Sequence, residues 1–159
     1  MSTVHKIDAT YGKLTRGELT GEELADLEEA LLAREEAYAP YSNYLVGACL
    51  RTNDDAVVHG WNVEDISYAA LHAEKNAIGR VLQKSRPSGL KRVTVIGGLR
   101  GQDAEDIATS CGDCRQALLE VILPEDNPQI IMAGVHGAVI RANLRDLLPL
   151  GFFPASIKK

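Results

Sequence analysis

Cysteine is scarce in this 159-residue chain: Cys49, Cys111 and Cys114 are all it has. So small and odd a number argues against a disulfide framework and towards metal or redox chemistry. No apolar run approaches the ~20 residues of a membrane helix. Residues 1–16 are polar and mixed, without the apolar core of a secretory leader, and a cytoplasmic location is expected. Basic excess is missing as well: the net charge is −5 and the pI about 5.4. A surface for long nucleic acids, which needs clustered Lys and Arg, is therefore not expected, and small neutral or weakly charged ligands stay open. There is no internal repeat and no low-complexity tract.

What is there reads as one soluble domain. Hydrophobic residues make up 45% and charged residues 25%, and a chain of this size buries roughly 70% of its unfolded surface. Residues 1–19 carry little pattern and are expected to form an arm before a single domain over 20–159. Thr20 and Glu23 read as a capping box. Behind them Leu24, Leu27, Ala30 and Leu31 recur at helical spacing, with Glu22, Asp26, Glu29 and Arg34 expected to face water. Pro40 stops this helix.

Strands are expected over residues 44–51 and 56–61, joined by a turn at 53–55. A second helix starts near His72 and ends before Pro87. Residues 93–96, Val-Thr-Val-Ile, suit a central strand buried on both faces. A third helix opens at Cys111 with Ala117, Leu118, Val121 and Ile122 inward. Two strands, 129–133 and 138–141, are separated by only four residues, which permits an antiparallel pair and excludes a parallel crossover. Asn143 is expected to cap a short last helix ending at Pro149. The order α-β-β-α-β-α-β-β-α predicts an α/β domain: a mixed five-stranded sheet covered by helices, its last two strands antiparallel.

Two short groups carry chemistry, each where a helix begins after a loop: His72-Ala73-Glu74 and Cys111-Gly112-Asp113-Cys114. Cysteines three apart share a face of a first helical turn. Imidazole and thiolate are the donors zinc prefers, and three protein ligands leave a fourth position for water. A helix N-terminus lowers thiol pKa and so favours the thiolate. His72 and Glu74 are roughly 200° apart around a helix, so both reach one metal only if it lies beyond the helix start. Glu74 then needs no metal bond and is free to move protons. Alone, a C-x-x-C pair reads equally as a dithiol redox site. In the order H-x-E…C-x-x-C the residues match the zinc-deaminase signature.

At this point the sequence resembles the cytidine deaminase family that acts on free nucleosides, blasticidin-S deaminases included. Residues 39–48, A-P-Y-S-N-Y-L-V-G-A, are similar to its P-Y-S-x-F-x-V-G-A segment, and Asn62-Val63-Glu64 to its N-V-E. His72-Ala73-Glu74 resembles its H/C-A-E, residues 111–116 its C-G-x-C-R-Q, and Leu147-Leu148-Pro149 with Phe152 its C-terminal L-L-P…F. The resemblance implies a three-layer cytidine-deaminase-like fold, with Zn2+ held by His72, Cys111 and Cys114. It implies hydrolytic deamination at C4 of a cytosine nucleoside, giving uridine or deoxyuridine and ammonia in pyrimidine salvage, with Glu74 as proton shuttle.

By the same resemblance Asn62 and Glu64 would bind the ribose hydroxyls, Tyr44 would wall the base, and Ala73 and Ser110 would border the substrate. Family members of this length are homotetramers in which a C-terminal aromatic, here Phe152, completes a neighbour's site. The chain departs from the pattern at Ser110, where the family has Pro, and at Asp65-Ile66, where it has Asn-Ala. Three-Cys members place Arg where this chain has Lys75, which is not expected to be essential to the metal site. A bulkier cytosine nucleoside such as blasticidin S is the alternative substrate, and a dithiol redox protein the alternative from another class. Without the resemblance, Cys49 reads as core, and His5, His59 and His136 as surface or turn residues.

Overall fold

A ten-residue strand rich in Val and Ile lies at the centre of the sheet, buried on both faces over residues 92–98. The computed structural model of the chain describes residues 9–84, 88–102 and 105–154. His5, Pro87 and the first eight residues of the expected arm lie outside them. In chain order the elements are β1 (Tyr11–Leu14), α1 (Gly21–Glu35), β2 (Tyr44–Thr52), β3 (Val57–Trp61), β4 (Val63–Glu64), β5 (Ala70–Leu71), α2 (Ala73–Lys84), β6 (Leu90–Leu99), α3 (Gly112–Leu118), β7 (Gln129–Gly134), β8 (Val139–Asn143) and α4 (Leu144–Leu147).

The main sheet runs β1-β8-β7-β6-β2-β3. Its only parallel pair among the described strands is β6 with β7, and the segment between them carries α3 as the crossover. β7 and β8 pair antiparallel, as the short link between them required. The sheet has six strands rather than the expected five. The sixth is β1, from the region read as a patternless arm, which pairs antiparallel with β8. Its residues are exposed apart from half-buried Leu14, so it joins through main-chain hydrogen bonds and shows no alternation of apolar side chains.

Strand alternation sorts the core into two layers. Ala48, Leu50, Val93, Val95, Ile130 and Met132 face α2 and α3. Cys49, Ile96, Ile131 and Ala133 face α1, and burial pushes the Cys49 thiol up to about 12. Thr20 and Glu23 form the expected capping box of α1. Asp26 and Arg34, expected in water, are buried. Asp26 accepts from Arg51 of β2 and, at 2.6 Å, from Arg92 of β6. Arg34 donates to the Gly98 carbonyl at 3.0 Å. These partners sit on the sheet face under α1, and they turn a polar helix flank into an ion-paired inner layer. Helix α3 is shorter than expected, and Val121 reaches the core from the turns that follow it.

Two glycines let helices touch the sheet. A Cβ on Gly47 would lie 2.0 Å from the Ala30 carbonyl of α1, and one on Gly60 2.2 Å from the Ala73 carbonyl of α2. The first turn of α2, with Glu74 in it, therefore rests directly on β3.

Candidate metal centre and active site

Helices α2 and α3 begin side by side on one face of the sheet. Cys111 is the N-cap of α3, its sulfur accepting the Cys114 N–H. His72 immediately precedes α2. Its Nδ1 lies 3.2 Å from Cys114 Sγ and 3.4 Å from Cys111 Sγ, and the three donor atoms all lie within 4.8 Å of one another. That spacing suits an ion with bonds of ~2.0–2.3 Å. Among the described residues this is the group of three or more His, Cys, Asp or Glu side chains able to hold one.

The electrostatics favour a cation. Burial pushes the Cys114 thiol up, and the Glu74 carboxylate and Cys111 sulfur beside it push it further. A thiolate there needs a positive charge in contact with it. Lys75 and Asp113, in the first turns of α2 and α3, form an ion pair that bridges the two helix starts.

A cavity of about 440 Å³ opens beside the three donors. His72, Ala73, Glu74 and Cys111 line its inner end, with Glu74 only 4% exposed. Tyr44 and Val46 of β2 and Val95 of β6 line its sheet side, and Asn62 and Glu64 its outer end. Burial raises the Tyr44 phenol above its usual pKa, so it stays neutral.

The outer polar groups are already engaged. Asn62 accepts the Val46 N–H at 2.8 Å and donates to the Tyr44 carbonyl at 2.9 Å. Glu64 accepts the Ser42 hydroxyl and the Tyr41 and Ser42 N–H groups, bonds that hold its carboxyl below the usual range, the Ser42 hydroxyl most of all.

Seven of the ten expected site residues thus line the cavity, and Cys114 joins them through the donor cluster. Ser110 does not line it. Its N–H points to Met132 Sδ at 3.4 Å, and its buried hydroxyl has no hydrogen-bond partner among the described residues. Phe152 is 61% exposed and lies outside the lining of its own chain's cavity. Ser42, Ile107, Ala108 and Thr109 line the cavity without having been singled out. Ser42 sat inside the quoted 39–48 segment, and the other three immediately precede the residue before Cys111.

Residues 22–138 match the family described as the cytidine and deoxycytidylate deaminase zinc-binding region. The chain belongs to this deaminase family. It is 34% identical to a cytidine deaminase of Halalkalibacterium halodurans, over 79% of this chain and 90% of that protein. A cytidine deaminase of Sporosarcina psychrophila is 30% identical over 79% and 88%. Among solved structures, cytidine deaminase from Burkholderia pseudomallei superposes with a TM-score of 0.70 at 38% identity, covering 84% of this chain and all of that one. Cytidine deaminase from Mycobacterium tuberculosis gives 0.63 at 31% identity, covering 81% and 95%.

The donor set of this deaminase-family chain fits the zinc of the family's zinc-binding region. One imidazole and two sulfurs are zinc's own preferences, two thiolates balance its charge, and the cavity beside them leaves room for a fourth, non-protein ligand.

Proposed function

We propose that this chain is a zinc-dependent hydrolase that deaminates cytidine or deoxycytidine to the uracil nucleoside and ammonia. The observation that carries the reading is the convergence of His72, Cys111 and Cys114 beside a buried Glu74 that lines a cavity, in a member of the deaminase family.

His72, Cys111 and Cys114 would hold zinc, which supplies a water acidified to near neutrality. Glu74 takes the proton released as the water oxygen bonds to C4 of the base and passes it to ring N3. It then carries the second proton to the C4 amine, the C4–N bond breaks, and ammonia leaves. Burial of Glu74 keeps these transfers from bulk water. Tyr44 walls the base, and Ala73 borders it with a side chain too small to crowd it.

At the outer end, Asn62 and Glu64 take the sugar hydroxyls. Asn62 keeps one amide hydrogen and one lone pair beyond its two bonds to β2, and Glu64 keeps lone pairs beyond those taken by Tyr41 and Ser42. Both are thereby oriented before substrate arrives. Among the described residues none that is basic lines this end, which favours a nucleoside over a phosphorylated one.

Assembly into a homotetramer, with Phe152 closing a neighbour's cavity, is supported by that side chain's exposure and by exposed Tyr41 and Tyr68 in a hollow that adjoins the cavity. Thiolate ligands favour the reducing cytoplasm, where pyrimidine salvage takes place. A bulkier nucleoside such as blasticidin S is favoured by one observation. An adjoining hollow of about 350 Å³, with Tyr41 and Tyr68 in its lining, shares Ser42, Glu64 and Ala70 with the first cavity.

Ammonia release from cytidine, deoxycytidine, cytosine, blasticidin S and purine nucleosides separates these readings. Glu74→Gln is expected to keep stoichiometric zinc and lose about 10²–10⁴-fold in kcat. Unchanged activity in that variant removes the assigned mechanism, and a reducible disulfide without zinc restores the redox alternative.

A further inference from the structure

The segment after α4 is fastened at several points, and the fastening leaves Phe152 facing outward. Gln116, on the last turn of α3, donates its amide N–H to the Phe152 carbonyl at 2.7 Å and accepts the Phe152 N–H at 3.0 Å. Arg115 beside it donates to the Leu147 carbonyl at 3.2 Å. Gly151 packs so closely that a Cβ there would lie 2.9 Å from Leu148 and 3.0 Å from Leu119. Phe153 turns inward under the Arg145 guanidinium, 4.8 Å from its ring centre, and packs on the core. A segment needing only to cover α3 has no use for a two-way amide clasp on the one residue whose ring it leaves exposed.

We propose that Gln116 is a positioning residue, its side chain clamping the Phe152 backbone to α3 so that the Phe152 ring is held out to close the cavity of a second copy of this chain. This rests on the reading of Phe152 given above. Since α3 carries Cys111 and Cys114 at its start and the clasp near its end, one helix of about 10 Å fixes the distance between a chain's own metal donors and the ring it offers its neighbour. A rigid ring pays little ordering entropy on docking, and that is what the clasp contributes.

The test uses zinc-loaded full-length protein in four forms: unaltered, Gln116→Ala, Phe152→Ala, and both together. Measurements are KM and kcat for cytidine, zinc content, and amide hydrogen exchange at Phe152. Phe152→Ala is expected to raise KM. Gln116→Ala is expected to raise it less, by about three- to tenfold, the scale of one or two exposed hydrogen bonds. In that variant kcat and zinc content stay unchanged and exchange at the Phe152 N–H speeds up. The double variant is expected to match Phe152→Ala alone, because Gln116 acts only through that ring. Gln116→Glu, which keeps an acceptor for the Phe152 N–H, is expected to fall between.

If Phe152→Ala leaves KM unmoved, the reading of Phe152 is wrong. If it raises KM while Gln116→Ala does nothing, adds in full, or lowers zinc content, the positioning role alone is overturned.

Discussion

At the inner end of the cavity every functional side chain leaves a helix start that packs against the sheet. At the outer end Asn62 and Glu64 leave a loop and a two-residue strand. At the inner end the donors are gathered by the starts of α2 and α3, with Cys114 and Glu74 buried, His72 half-buried and Cys111 exposed. The outer end takes its order from hydrogen bonds to residues 41–46, and beyond it the β4–β5 hairpin leaves Tyr68 87% exposed, at a φ of 61°. On the reading proposed above, the chemistry is built within one chain and the substrate enclosure is completed by a second copy.

The strongest attack on this contrast is at the inner end. Cys114→Ala removes a donor that is wholly buried and contacts both other members of the cluster. Zinc content is expected to fall below stoichiometric, and deaminase activity to fall to the assay background. A fully active, zinc-replete variant would mean that the inner end is not the centre of the chemistry.

Gly60→Ala tests whether the sheet really sets the inner end. The new methyl would press on the Ala73 carbonyl and the Ala77 nitrogen. A stability loss of about 3 kcal/mol is expected, read as a lower Tm, together with reduced kcat as α2 shifts. Normal kcat with only a lower Tm would uncouple β3 from Glu74.

The mildest change belongs to the outer end. Ser42→Ala removes the largest influence holding the Glu64 carboxyl down. Because a lowered pKa keeps the carboxylate charged to lower pH, KM in the unaltered protein is expected to stay flat below the usual carboxylate pKa of ~4.3. In the variant the acid-side rise in KM moves to higher pH, and KM at neutral pH rises about two- to fivefold, one exposed hydrogen bond's worth. An acid limb that does not move would show that Glu64 is not what binds the sugar.

The same contrast marks what could be read from sequence. Inner-end residues follow local rules: a three-residue spacing on one helical turn for Cys111 and Cys114, and a cap position for His72. The central β6 showed itself by an apolar run. Strand β1 did not, because an exposed edge strand pairs through main chain and needs no side-chain period. The burial of Asp26 was hidden for another reason: its partners Arg51 and Arg92 lie 25 and 66 residues away, and only the sheet brings them under α1. Ser110 was expected to border the substrate because it stands where the resembled family has Pro, yet only its two neighbours, Thr109 and Cys111, line the cavity. The Ser110 N–H points to Met132 Sδ, and its hydroxyl is buried.

His72 stands 39 residues before Cys111 and 42 before Cys114. An ion gripped by all three is thus a staple across a long stretch of chain, which includes α2 and β6. Closing such a loop in the unfolded chain costs about 3 kcal/mol of entropy by a (3/2)RT ln n rule. A protein whose cysteines form no disulfide among the described residues would gain from zinc the crosslink that such a bond gives a secreted domain.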